Sequence, residues 1–390
     1  MSITLTGATL FTPMQIIERG AIVTSDEGKI TYVGPLEGAP RVPGPRLDLR
    51  RRIVAPGFMD IHVHGGHGIT FGNLDSLAED LAAYSRWIVT HGVTGFFCTL
   101  AAADTDTLLE MIASYVKLLE RGGLPGAVPL GLHLEGPYLS LEKKGAFNPA
   151  WLHPPTIEEV RSFLEAGQGW IRQVTLAPEL PNAQAVAALF RQQGVVVALG
   201  HTNSDYELAS AALRGNFTHV THTFNAQRGF QHREPGALGA VLASDQVTAE
   251  LIADTIHVHP AAMQVLLRCL GTDRVVLITD AMAAAGLGDG TYSLVGHHVT
   301  VKDGVAREAD GTIAGSSVTL DTCVRNMNQK VGASLPDAVK MASLNPARAM
   351  GLADRYGQLA VGQDANLIVI DESVNIHLTM VQGRIVHGHM

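Results

Sequence analysis

Ile53-Val54-Ala55-Pro56-Gly57-Phe58-Met59-Asp60-Ile61-His62-Val63-His64 is where the character of the chain changes. Before it, residues 1–52 read as short β elements, Ile3–Leu5, Ala21–Thr24 and Ile30–Val33, parted by turn residues such as Asp26, Gly28 and Gly34. From Ile53 onward, short apolar runs alternate with helical segments. The runs are Ile53–His64, Val93–Thr99, Val128–Glu135, Ile171–Pro178, Val195–His201, Phe217–Thr223, Val247–Asp254 and Val275–Asp280. Leu77–Thr90, Thr105–Glu120 and Ile157–Ala166 are examples of the helical stretches between them. Eight β/α repeats predict a parallel sheet closed into a (β/α)8 TIM-like barrel.

The remainder of the chain returns to β patterning at Leu367–Ile370, Ile376–Met380 and Arg384–His387, within Gly362–Met390. These strands are expected to join those of the N-terminus in a small β-sandwich domain built from both chain termini. The predicted division is 1–52 and 353–390 for that domain, with the barrel over 53–352. Tyr292–Ile313 alternates like a hairpin inserted after the last barrel strand, and Ser334–Ala349 reads as a helix with Pro336 in its first turn.

Composition narrows the function. Of 390 residues, 46% are hydrophobic and 17% charged, and the net charge is −9. Such a chain is compact rather than disordered. It carries no basic stripe, which disfavours nucleic acid as a partner. No apolar run approaches the length of a membrane span and no signal peptide is evident, so no membrane partner is expected. Three scattered cysteines make neither a disulfide framework nor a thiolate metal site, and suit a reducing cytoplasm. Seventeen histidines point instead to a divalent metal held by imidazole and carboxylate, zinc or iron by preference.

The runs end in chemistry. Their C-terminal residues include His62, His64, Thr99, Glu135, His201, His222, Asp254 and Asp280, with Glu179 just beyond Pro178. In a barrel of this kind the active site lies at the C-terminal ends of the strands. His62 and His64, two apart on a strand, face the same way and can converge on one ion. Glu135 closes an apolar strand, where a carboxylate is costly unless paired or metal-bound. His133 shares its face at greater depth, as a support or as a core histidine. His201 and His222 complete a His/carboxylate ligand set; His219, three residues from His222, is expected to face away. Asp280 is the candidate general base, the alternative being a helix cap. Arg233 and His257 are the nearby cations for a phosphate, with backbone N–H groups after Asn225-Ala226 as further donors.

These segments resemble the amidohydrolase superfamily, and within it the N-acetylglucosamine-6-phosphate deacetylases. His62-Val63-His64 carries only the superfamily likeness. Leu134-Glu135-Gly136-Pro137, Thr221-His222-Thr223-Phe224-Asn225-Ala226 and Arg233-Glu234-Pro235-Gly236 carry the deacetylase likeness. The resemblance implies a hydrolase that cleaves a linear amide C–N bond in amino-sugar metabolism. It assigns Glu135, His201 and His222 to the main metal site and His62 and His64 to a second, so that one or two ions bind. Asp280 matches the catalytic base. Asn225, Ala226, Ala146, Ile313, Arg233 and His257 match substrate contacts. The last two cations come from the neighbouring subunit in the family, which implies a homodimer. Phe147 stands in Lys144-Gly145-Ala146-Phe147-Asn148 where the family usually has the histidine that touches the sugar. N-acetylgalactosamine 6-phosphate is therefore an alternative substrate. A different amidohydrolase reaction and a non-catalytic scaffold are the further alternatives. The scaffold is disfavoured because every candidate ligand is present.

Overall fold

All eight apolar runs contribute a strand to one parallel sheet. The strands are β1 (Phe58–Asp60), β2 (Val93–Ala101), β3 (Val128–Glu135), β4 (Ile171–Leu176), β5 (Val196–Leu199), β6 (His219–Val220), β7 (Thr248–Ile252) and β8 (Val275–Ile278). Each pairs in parallel with the next in sequence. The computed structural model describes residues 2–294 and 297–388. Val295 and Gly296, within the expected hairpin, and Met1, His389 and Met390 lie outside the described residues.

The gap between β8 and β1 is bridged just past the strand ends. Asp280 N donates to His62 O at 2.9 Å, and His64 N to Ala281 O at 2.8 Å. Within the seam, Thr279 Oγ1 donates to the fully buried Asp60 carboxylate at 2.6 Å. The barrel is thereby nearly closed.

A helix follows each strand: Leu77–Ile88, Thr105–Arg121, Ile157–Gly167, Ala183–Gln192, Tyr206–Arg214, Gly236–Leu242, Pro260–Leu270 and, after the insertion, Leu320–Asn326. Several begin as their sequences dictate. Asp104, Thr156 and Asp205 accept from the N–H groups of Thr107, Glu159 and Leu208 at 3.0, 3.2 and 2.9 Å. Each such cap contributes about 1 kcal/mol. The helices cover the sheet, so strand residues such as Phe96, Val174, Val197 and Leu277 are fully buried.

The run Ile53–His64, expected as one barrel strand, is two strands in two sheets. Ile53–Pro56 pairs with Thr4–Phe11 and Leu367–Ile370, whereas Phe58–Asp60 pairs with β2. The chain changes sheet at Gly57, whose N–H goes to Asn366 O while the N–H of Phe58 goes to Gly92 O. A Cβ on Gly57 would lie 2.2 Å from the Thr94 side chain, so only glycine lets the crossing pass this close.

Both termini build the second sheet. Its order is Arg384–His387, Ile376–Val381, Leu367–Ile370, Ile53–Pro56, Thr4–Phe11, Ile16–Thr24, Ile30–Pro35, with Arg46–Asp48 also beside Thr4–Phe11. It wraps an apolar core of its own, in which Leu5, Leu10 and Ile22 meet Leu367, Val369 and Met380. The segment Ser334–Ala349, expected as one helix, is two: Leu335–Ala342 and Leu344–Ala349, broken at Ser343. Pro346 lacks an N–H and its ring would strike the carbonyl of Ala342 in a continuous helix. The insertion after β8 is a three-stranded antiparallel sheet, Gly290–Leu294, His297–Lys302 and Val305–Arg307.

Candidate active site

At the C-terminal ends of the strands the backbone turns sharply inward. His201, His222 and Asp280 all have positive φ, at 44°, 25° and 49°. For residues with a Cβ this region is sparsely populated and costs on the order of 1 kcal/mol or more each. These turns bring the His201, His222 and Asp280 side chains from the mouths of β5, β6 and β8 into the clusters around Glu135.

Glu135 is the hub. Its Oε1 lies 3.2 Å from His201 Nε2 and 3.0 Å from His222 Nε2. Its Oε2 lies 2.9 Å from His64 Nε2 and 3.3 Å from His62 Nε2. Asp280 Oδ1 completes the second group, 3.3 Å from His64 Nε2 and 3.5 Å from His62 Nε2. Two clusters of donor atoms therefore share one carboxylate: His62, His64, Glu135 and Asp280 on one side, and Glu135, His201 and His222 on the other.

Tautomers decide whether a cation fits. His62 Nδ1 is 2.8 Å from the Glu250 carboxylate, so it carries the proton and donates. The lone pair of His62 Nε2 then points between Glu135 and Asp280, and that buried atom has no hydrogen-bond partner. His201 Nδ1 donates to Lys143 O at 2.7 Å, leaving its Nε2 lone pair toward Glu135 Oε1. Lone pairs facing carboxylate oxygens repel unless positive charge lies between them. Nitrogen and oxygen donors of this kind suit a divalent metal. Protonation expresses the same demand. Burial lowers the His64 imidazole, but Asp280 and Glu135 outweigh it and push it up to about 9. Burial raises the Glu135 carboxyl, but His62, His201 and His222 hold it well below its ordinary range. Asp280 is likewise held down, against burial, by His62 and His64.

Beside the cluster opens a cavity of about 360 Å³, lined by Asp280, His64, His201 and His222 on its inner side. A family model described as the amidohydrolase family matches residues 53–386. The chain belongs to the amidohydrolase family. It is 35% identical over 335 residues to an N-acetylglucosamine-6-phosphate deacetylase of Bacillus subtilis, covering 85% of this chain and 84% of that protein. It is 37% identical over 333 residues to an N-acetylgalactosamine-6-phosphate deacetylase of Escherichia coli O157:H7, covering 85% and 87%. A solved structure of a mutant N-acetyl-D-glucosamine-6-phosphate deacetylase of Mycobacterium smegmatis, in complex with N-acetyl-D-glucosamine-6-phosphate, superposes with a TM-score of 0.91 at 36% identity, covering 99% of both chains.

In this amidohydrolase the sequence candidates are placed as follows. His62, His64, Glu135, His201, His222 and Asp280 converge. Asn225, Ala226, Ala146, Ile313 and His257 line the cavity. His257, expected to reach a neighbouring subunit, sits in the wall of its own chain's cavity, its Nδ1 held 2.6 Å from Asp254 Oδ2. Arg233 is exposed and lies outside the cavity lining. His133 lies beneath the cluster between Thr99 and Thr175, at 3.2 and 2.8 Å. His219 does not face away. β6 ends at Val220 and the chain turns at once, so the His219 and His222 side chains both reach the interior.

Sequence reasoning misses Glu250 and most of the outer cavity wall, including Trp151, Glu308 and Thr312. Glu250 is detectable: it is a carboxylate in the middle of the apolar run Val247–Asp254. Attention to strand ends passes over it in favour of Asp254, which instead holds His257.

Proposed function

We propose that this amidohydrolase removes the acetyl group from N-acetylglucosamine 6-phosphate, releasing acetate and glucosamine 6-phosphate. The observation that carries the reading is the division of Glu135 between two histidine pairs, with Asp280 at the cavity edge. Glu135, His201 and His222 would hold one divalent ion, and His62, His64, Glu135 and Asp280 a second. Zinc or iron suits the donors. Such an ion supplies Lewis acidity, which makes water acidic and polarises an amide carbonyl.

The chain's own residues do the rest. Asp280, kept ionised by His62 and His64, accepts a proton at its carboxylate as water attacks the acetyl carbonyl. It returns that proton to the amide nitrogen, which leaves poorly until protonated. The cavity wall holds the sugar, and binding energy from the remote phosphate orients the amide. His257 is the cation for that phosphate in the same chain. Arg233 sits on an exposed loop beside the exposed Phe230, and we assign it to the cavity of a second copy in a homodimer. The three free cysteines suit a reducing cytoplasm, and no helix among the described residues is long and apolar enough to cross a membrane.

A second reading, the galactosamine epimer, is favoured by Phe147, which lines the cavity where the family's sugar-touching histidine is expected. One experiment tests both. Acetate release is measured on N-acetyl sugars of both epimers, with and without 6-phosphate, with metal content determined on the same preparation. Acetate from the glucosamine phosphate above all others supports the first reading. Acetate from neither, by metal-loaded protein, refutes both.

A further inference from the structure

Glu250, in the middle of β7, is fully buried and takes no part in the chemistry above. Its carboxylate is saturated by four donors. Oε1 accepts from Gln173 Nε2 at 2.7 Å and from His219 Nε2 at 3.2 Å. Oε2 accepts from His62 Nδ1 at 2.8 Å and from the His222 backbone N–H at 3.0 Å. One oxygen thus touches the ring of a residue from one donor cluster and the backbone of a residue from the other.

The geometry points to Glu250 as a positioning residue that holds the His62 imidazole with Nε2 bare toward the cation site and links the two donor clusters through His222. The assignment rests on the metal reading of the site. A carboxylate offers only acceptors, so His62 Nδ1 must carry the proton, and a neutral imidazole has only one. Without Glu250 the proton is free to move to Nε2, where it would stand in the cation's place. The carboxylate also raises the basicity of the ring it holds. Groups with this role change metal affinity by about 10–100-fold when removed. Glu250 is in turn oriented by Gln173 and by His219, whose Nδ1 is fixed 2.6 Å from Thr248 Oγ1.

Glu250→Leu and Glu250→Gln test this together. Leu removes both acceptors, so nothing holds the proton on His62 Nδ1. Gln keeps an oxygen toward His62 Nδ1 and the His222 N–H and removes only the charge. Its NH2 can meet Gln173, whose buried Oε1 has no partner and can turn toward it, and His219 Nε2, if the His219 proton sits on Nδ1 toward Thr248. Apo forms of the wild type, both variants, His62→Ala and the Glu250→Leu/His62→Ala double variant are titrated with zinc against a chromogenic chelator, with the melting temperature of each recorded. The expected result is that Glu250→Leu weakens zinc uptake at the His62 side about tenfold or more, and that Glu250→Gln weakens it by less. In the His62→Ala background Glu250→Leu is expected to have no further effect on zinc affinity, because its route of action is gone. Wild-type zinc affinity in a folded Glu250→Leu, an equal loss in both backgrounds, or, where Glu250→Leu does not fold, wild-type affinity in Glu250→Gln overturns the assignment. Wild type that takes up no zinc overturns the metal reading itself, and the assignment with it.

Discussion

Phe147 sets its ring edge-on against the imidazole of His201, with centroids 5.2 Å apart and planes at 73°. The contact joins a residue of the loop after β3 to a metal-site candidate at the end of β5. The same loop is bound to His201 twice more, through Ser140 N to His201 O at 2.9 Å and His201 Nδ1 to Lys143 O. Phe147 therefore shapes the cavity and braces the His201 imidazole at once. If its loop has drifted from glucosamine recognition, Phe147→His restores a polar group to the wall. It is expected to raise kcat/KM for N-acetylglucosamine 6-phosphate relative to the galactosamine epimer. Acetate release on both sugars measures the ratio, and an unchanged ratio removes Phe147 from epimer choice.

Asp280→Asn removes the proton acceptor while nearly conserving shape. Its kcat is expected to fall by about 10²–10⁴-fold. The ion held by Glu135, His201 and His222 is expected to stay, because Asp280 is not in that cluster. Turnover and metal per chain are measured together; near-normal turnover with metal bound excludes Asp280 as the base.

His257 and Arg233 are assigned to the phosphate. Either residue changed to Ala is expected to raise KM for the phosphorylated sugar about tenfold or more while leaving the unphosphorylated sugar nearly unaffected, as loss of a charge-assisted contact requires. The comparison of the two sugars is the check, since an equal loss on both points to a fold defect.

Acid is expected to strip the metal. Imidazole ligands must be deprotonated to bind, so protons compete with the ion and retention falls as pH drops. Metal remaining after gel filtration across a pH series reads this directly. Retention that does not change from about pH 8 to about pH 5 contradicts a histidine-bound ion.

Asp321, in the first turn of the helix Leu320–Asn326, accepts from His91 Nδ1 at 3.1 Å and Arg325 Nη2 at 3.5 Å. Arg325 continues to Ser373 O and Val374 O at 2.9 and 3.1 Å, tying the barrel to the C-terminal sheet. Burial raises the Asp321 carboxyl, but the hydrogen bond and charge of His91 outweigh it and hold it below the ordinary value. A lowered carboxyl stabilises the fold above its unfolded pKa of about 3.9, and that contribution fades as pH falls through the lower folded value. Asp321→Asn is thus expected to cost about 1–3 kcal/mol at neutral pH, with the difference shrinking in acid. Denaturant unfolding of both proteins at neutral pH and again below the ordinary carboxyl pKa settles the sign.

Much of this is legible in the sequence. Parallel strands covered by helices read as near-continuous apolar runs, so β2, β3 and β8 stand out against their helices, and His64, Glu135, His201, His222 and Asp280 at or just past strand ends mark the site. Residues beyond a strand end are less legible. His219 reads as facing away only if strand alternation is extended past Val220, where the chain already bends. Glu250 escapes notice because a mid-strand carboxylate announces no partner until Gln173, His62, His219 and the His222 backbone are brought around it. Gly57 conceals a change of sheet inside what reads as one continuous run.

Local pattern is enough to decide that the chain alternates strand and helix eight times and which residue types sit at each strand mouth, because burial and period are written into neighbouring residues. Which tautomer His62 takes, which oxygen of Glu135 meets which pair, and whether His257 or Arg233 reaches its own cavity are decided only in three dimensions. Those outcomes depend on contacts between residues far apart in the chain, such as His62 and Glu250, which are separated by 188 positions, and no local spacing encodes them.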